Sequence, residues 1–274
     1  MTRLSCSEFS FPAVSEQERR IGIVAALGFT LCDVGLMLED DGRLLADEQA
    51  VADSLSSGLR AAGLSAADLF FAVGSTFEEI ALNPPDSELA ARRLEAFSAA
   101  ARVTAAIGAP GITILPGVVW PGDPGSWVRC VDGLRRRVEL AAGCGIELRV
   151  EAHAGAIAAL PESALELVGA VPGLRLTLDV SHFELQSVAA PRWHPLAEHT
   201  GHVHVRAAKP GAIQVPWAQN ETDFSSLLEV LRAAGYEGAF CIEYVPMRQW
   251  RCDELDVITE TLATRDGLQL LGVT

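Results

Sequence analysis

The sequence predicts a closed parallel α/β barrel, a single (β/α)8 TIM barrel, on three observations. Short β-branched or apolar runs alternate with longer amphipathic segments through eight successive units, the pattern of stacked βαβ units. The 274 residues lie close to the roughly 250 that such a barrel needs, and no linker-like stretch divides them. The later strands alternate apolar and polar residues, as a barrel strand does when it shows one face to its helices and the other to the interior. A doubly wound open sheet would want a Gly-rich phosphate turn after its first strand, and this chain has none. One domain over residues 1–274 is therefore expected, with its active site at the C-terminal ends of strands 5–8.

The eight strands are expected at residues 4–9, 31–36, 69–73, 112–115, 146–152, 174–180, 202–206 and 239–244. Between them, Asp86 can cap a helix whose Leu94, Phe97 and Ala101 share one face. Val131, Leu134 and Val138 repeat that spacing before Gly143, and Asp223 precedes Phe224, Leu227 and Leu231 in a helix that ends near Gly235.

Composition narrows the function classes. With 49% hydrophobic and 21% charged residues the chain can bury a full core, and no run reaches the roughly 18 apolar residues of a membrane span. The amino terminus lacks a secretion-signal pattern, so a cytoplasmic protein is expected, with no membrane association. Six dispersed cysteines form no Cys-x-x-Cys pair and read as reduced, buried thiols. A net charge of −15 repels phosphate backbones and argues against nucleic acid as a partner. The expected partner is a small molecule, and the sequence leaves room for a homo-oligomer.

All six histidines fall between positions 153 and 204, interleaved with Glu151 and Asp179 and followed by Glu243. Parity explains why. If Ile146, Leu148 and Val150 face the helices, Arg149, Glu151 and His153 face the barrel axis. The same alternation turns Arg175, Thr177 and Asp179 inward in the sixth strand, His202, His204 and Arg206 in the seventh, and Cys241 and Glu243 in the eighth. Glu151, Asp179, His204 and Glu243 can then converge near the carboxyl ends of their strands, where barrel enzymes build their sites. Three carboxylates and one imidazole make a hard, oxygen-rich set. Mn²⁺ is the expected single divalent ion, with Mg²⁺, Co²⁺ or Zn²⁺ able to fit. The competing reading makes these acids inward ion pairs with Arg149, Arg175 and Arg206.

V-E-A-H at 150–153, L-D-V-S-H at 178–182, H-V-H-V-R at 202–206 and C-I-E-Y at 241–244 resemble the sugar isomerase/epimerase group of xylose-isomerase-like barrels. That group includes ketose 3-epimerases, hydroxypyruvate isomerase and inosose dehydratase, and more distantly the AP endonuclease endonuclease IV. The stretch from Gly28 to Asp33 is similar to the group's Gly-aromatic-x-x-x-acid opening, with Asp33 where Glu is usual. The resemblance implies that Glu151 and Glu243 both bind the metal and exchange protons with substrate, while Asp179 and His204 complete the metal set. It also implies that His182 contacts a substrate oxygen. His202 and His153 are expected to support ligands rather than bind the ion, and His194 and His199 to be surface residues.

Two departures shape the expectation. Ketose epimerases carry another Glu six residues after the first metal acid, where this chain has Ile157, and no histidine precedes His153 to build a trinuclear zinc cluster. The activity this implies is a metal-dependent isomerase or epimerase of a keto-sugar or related polyhydroxy ketone, working by proton abstraction next to a carbonyl. A dehydratase of the inosose type and a non-catalytic sugar-binding barrel are the alternatives. Arg206 and Lys209, the only lysine of the chain, are candidate cations for a substrate hydroxyl, carboxylate or phosphate. Trp120, Trp217 and Trp250 are expected on the same rim, and the 207–222 loop, with Gln214, Trp217 and Asn220, is the expected selector of substrate.

Overall fold

The computed structural model describes residues 3–274. Eight parallel strands close into one barrel in sequence order. They are β1 (Arg3–Ser7), β2 (Leu31–Leu38), β3 (Ser65–Val73), β4 (Gly111–Ile114), β5 (Glu147–Glu151), β6 (Arg175–Asp179), β7 (Thr200–Val205) and β8 (Ala239–Ile242). Pairing of Arg3 with Ala239 through Cys6 with Ile242 joins the first strand to the last, so no edge is left. The expected (β/α)8 barrel is the observed fold.

Most strand boundaries fall within two residues of expectation, and β3 departs most. It starts at Ser65, four residues before the expected 69, because Ser65, Ala66 and Asp68 pair along β2, with the register shifting at Ala67, although they lack the β-branched bulk that marks a strand. The first strand ends at Ser7, where a 3₁₀ turn, Glu8–Ser10, takes over.

The helices start where short polar side chains satisfy free amides. Asp86 accepts from the amides of Glu88 and Leu89 at 2.8 and 3.1 Å and opens the helix Ser87–Ala106, which buries Ala96, Phe97, Ala100 and Ala101. Asp223 caps Phe224–Ala233 through Ser226, and Asp256 caps Val257–Leu270 through Ile258 and Thr259. The sixth unit differs. Pro191 and Pro195 break its return path into the short helices Ser181–Leu185 and Ala190–Trp193 and a 3₁₀ segment, His194–His199. Trp193 and Leu196 anchor that path in the core, and His194 and His199, expected at the surface, are half-buried there.

Parity holds in β5 to β8. Leu148, Val150, Leu176, Leu178, Val203, Val205, Phe240, Ile242 and Tyr244 are buried in the core between barrel and helices. Their alternates fill the barrel in layers. At the amino-terminal end, Arg149 Nη1 donates to Asp68 Oδ1 at 2.8 Å, and Thr113 bonds both Asp68 and Thr177. Above this, Ser5, Asp33, His202 and Cys241 occupy the middle, all at most 1% exposed. All six cysteines are free thiols, five of them buried.

Candidate active site

The strand register delivers the four acidic and imidazole groups together. Glu151 pairs with Thr177, two residues before Asp179; Asp179 pairs with His204; His204 pairs with Cys241, two residues before Glu243. The set therefore climbs the stagger of tilted strands, which keeps it at one level of the barrel. One ligand atom from each of Glu151, Asp179, His204 and Glu243 lies within 4.8 Å of the others, and all four residues are buried. His204 is central: its Nδ1 lies 3.0 Å from Glu151 Oε1 and 3.5 Å from Glu243 Oε2.

Arg206, two residues on along the same face, donates through Nη2 to both Asp179 and Glu243. The ion-pair alternative is thus partly realised, by Arg206 alone. Arg149 pairs instead with Asp68 and Glu147, and Arg175 donates to the carbonyls of Glu198 and Thr200. Asp179 is further held by the amide and hydroxyl of Ser181, at 2.8 and 2.5 Å on Oδ1.

His182 sits on the short helix after β6, with Nε2 3.7 Å from Asp179 Oδ2. Its Nδ1 accepts from the Ala154 amide at 3.3 Å, which leaves the proton of the neutral ring on Nε2, pointing into the cluster. Burial, reinforced by His153, pushes its pKa down to about 3, so the ring is neutral near pH 7. Lys209 makes contacts elsewhere: its backbone pairs with Ala212 and its Nζ donates to Gln219 Oε1 at 3.1 Å.

The carboxyls differ in their environments. Burial pushes Glu243 up to about 7, helped by Glu151 and Asp179 and opposed by His204 and Arg206. Burial acts the same way on Glu151, but the hydrogen bond and charge of His204 outweigh it and hold Glu151 down at about 2. His204 itself, despite burial, is raised well above the ordinary imidazole value by Glu243, Asp33 and Glu151.

The donor set fits a hard dication. Three carboxylates and an imidazole supply mostly oxygen ligands, and the buried Nε2 of His182 and the Nε and Nη1 of Arg206 have no hydrogen-bond partner among the described residues. Those N–H groups suit substrate oxygens beside such an ion.

The opposite side of the mouth is apolar. Phe9, Phe70, Ala72 and Leu115 form a cluster with Phe77, Ile80 and Val245 around it, and the Phe70 ring lies 6.3 Å from that of His204. A Cβ at Gly35 would meet Phe9 Cδ1 at 2.8 Å, so only glycine there lets Phe9 lie on β2. Of the three rim tryptophans, Trp250 alone joins the site, its ring 5.3 Å from His153 and 5.6 Å from His182, whose own rings lie 3.9 Å apart and are tilted by 43°. Trp120 bonds the Asn83 carbonyl and Trp217 stacks on Phe224. Gln214, expected in substrate selection, clasps the base of the loop after β8 through Val245 N and Cys252 O.

Compared with known proteins, the chain matches the family model described as xylose isomerase-like TIM barrel over residues 21–271. The chain belongs to the xylose isomerase-like TIM barrel family. Solved structures similar to this family member include a D-allulose 3-epimerase from Methylomonas sp., at 17% identity, TM-score 0.75 and coverage of 98% of this chain and 97% of that one. A D-psicose 3-epimerase from Clostridium cellulolyticum H10, at 15% identity and TM-score 0.76, is covered in full by the full chain. A 3-keto-D-glucoside 4-epimerase from E. coli, at 17% identity and TM-score 0.70, aligns over 99% of both chains. At such identities the likeness is one of fold. No curated protein sequence matches the chain significantly.

Sequence reasoning placed the four converging groups, His182 and Arg206. It named Asp33 only as the acid of the opening motif and Trp250 only as a rim residue, and it missed the Asp33 bond to His202 at 2.5 Å across the barrel, the role of Ser181 and the seat of Trp250 beside His153. Ser181 could have been found, since an Asp side chain commonly accepts from the residue two positions on, and a hydroxyl there can add a second donor.

Proposed function

We propose that the protein is a divalent-metal-dependent isomerase or epimerase of a keto-sugar or related polyhydroxy ketone. The observation that carries this reading is the convergence of Glu151, Asp179, His204 and Glu243 within 4.8 Å inside a family barrel. The sugar epimerases among the similar structures support the substrate class. We read the chain as one domain whose active site lies at the carboxyl ends of β5 to β8, with Mn²⁺ as the expected ion.

A bound dication would make the hydrogen next to a substrate carbonyl acidic by drawing charge onto the carbonyl and its neighbouring hydroxyl. Glu151 and Glu243 both approach His204 Nδ1, at 3.0 and 3.5 Å, and a substrate carbon held between these two carboxylates would have one on each face. One removes the proton and the other returns it, to the opposite face for epimerisation or to the next carbon for isomerisation; each positioned group is worth about 10²- to 10⁴-fold in rate. His182 Nε2–H donates to the substrate oxygen that gains charge. Arg206 holds Asp179 and Glu243 in place through Nη2, and its Nε and Nη1 are free for a substrate hydroxyl or carboxylate. Trp250 and the Phe9–Phe70 cluster exclude water.

Incubating Mn²⁺-loaded protein with candidate keto-sugars in D₂O tests this. Deuterium should enter the carbon next to the carbonyl without loss of water, and Glu151→Gln and Glu243→Gln should each abolish the exchange. An absorbing enone would point instead to a dehydratase, and binding without exchange to a non-catalytic barrel.

A further inference from the structure

The middle layer of the barrel holds a residue that the functional reading leaves unused. Asp33, on β2 and 1% exposed, reaches across the interior to β7. Its Oδ1 accepts from Ser5 Oγ at 2.8 Å. Its Oδ2 accepts from His202 Nε2 at 2.5 Å and lies 3.5 Å from His204 Nε2. His204 is thus flanked on its two nitrogens by different carboxylates. Nδ1 faces Glu151 and Glu243, while Nε2 is buried and faces Asp33 alone among acids within 4 Å.

An imidazole can offer a lone pair on one nitrogen only if its proton sits on the other. For His204 to present Nδ1 to an ion shared with Glu151 and Glu243, Nε2 must carry the proton, and Asp33 Oδ2, 3.5 Å away, is the one acid within 4 Å that can take it. We propose that Asp33 is a positioning residue: from the far side of the barrel it fixes the tautomer and ring orientation of His204, and so sets how tightly the site takes up its dication. Ser5 and His202 serve this role by holding the Asp33 carboxylate in one orientation. The inference rests on the metal-dependent reading above. Carboxylates behind a ligating histidine commonly act this way, and their loss weakens metal binding by about 10- to 100-fold.

The test uses the full chain freed of metal by a chelator, with Mn²⁺ affinity read by titration calorimetry and ligand geometry by the visible absorption of Co²⁺. Asp33→Asn should weaken Mn²⁺ binding about 10- to 100-fold and change the Co²⁺ bands. Asp33→Glu, which keeps the charge and can span the 3.5 Å separation, should restore most of the affinity. Arg149→Met breaks a buried ion pair one layer below and should leave the affinity unchanged, which separates positioning from general loss of stability. Unchanged Mn²⁺ affinity and Co²⁺ spectrum in Asp33→Asn, in a parent that binds one equivalent, would overturn the role of Asp33 and leave the metal site standing. Absence of binding by the parent itself, equal to that of Asp179→Ala, would overturn both. Uptake of two equivalents, the second lost in Cys241→Ser, would also overturn it by making Asp33 a ligand of a deeper ion. Should Asp33→Asn fail to fold, Ser5→Ala removes one restraint on the same carboxylate; a loss of a few fold supports the coupling and no loss overturns it.

Discussion

Replacing Arg206 with methionine separates an ion-pair role for the acid cluster from a metal role. The Arg206 side chain is 2% exposed and donates to Asp179, which is fully buried, and to Glu243, which is 6% exposed. Methionine keeps most of the volume but leaves both acceptors without their guanidinium. Breaking a buried pair in this way costs about 3–5 kcal/mol. With an unfolding entropy of about 2.1 cal/mol/K per residue over 274 residues, that corresponds to a melting temperature lower by about 5–9 °C. A dication should reverse much of the loss, because it neutralises the same oxygens. At a free ion concentration of about 100 times the dissociation constant it contributes about 2.7 kcal/mol. Removing a fixed cation from beside the site should also tighten that binding, so the Mn²⁺-induced rise in melting temperature should be larger in Arg206→Met than in the parent. The assay is thermal unfolding of both proteins, chelator-treated, across a Mn²⁺ series. An unchanged melting temperature without metal, or a rise no larger than that of the parent, would refute the compensation argument.

Three further outcomes are expected. Arg149→Met leaves Asp68 buried without its guanidinium, retaining only the Thr113 hydroxyl, and should lower stability by about 3–5 kcal/mol in urea titration; a loss below about 1 kcal/mol would show that the pair contributes no more than a surface one. His182, whose pKa is pushed down to about 3 by burial, should stay neutral in histidine-selective NMR while the pH falls through about 6.5, where a free imidazole takes its proton; a midpoint near that value would contradict the buried, singly protonated ring. A thiol reagent should label Cys144, the one half-buried cysteine, ahead of the five buried ones, which should react only on unfolding; rapid labelling of Cys241 would mean that the barrel interior is open.

The barrel was legible in the sequence because period-two patterning is a direct imprint of strand geometry. Val203 and Val205 must pack against helices, so His202, His204 and Arg206 had one direction left. The long β3 was less legible, since Ser65, Ala66 and Asp68 extend it by pairing with β2 rather than by their own bulk. Asp33 was legible as the acid of the opening motif but not as a partner of His202 and His204. Neighbouring strands can be inferred from chain order, whereas contacts across the interior depend on side-chain reach and barrel diameter, which no local pattern records. The same limit hid which rim tryptophan meets the histidines: the place of Trp250 beside His153 and His182 is set by the loop after β8 and by the clasp of Gln214.

Strand β7 spends three alternate positions on the interior, His202 toward Asp33, His204 toward Glu151 and Arg206 toward Asp179 and Glu243. Gaining or losing one residue within it would not nudge these groups but invert the strand, swinging all three toward the helices and driving Val203 and Val205 into the acids. Single-residue length changes are therefore barred between His202 and Arg206, whereas the register shift at Gly201 already absorbs one unpaired residue at the start of the strand, and point substitutions can be tried singly. Drift in this lineage should accordingly accumulate as exchanges of residue type along β7, while insertions and deletions are confined to the loops on either side.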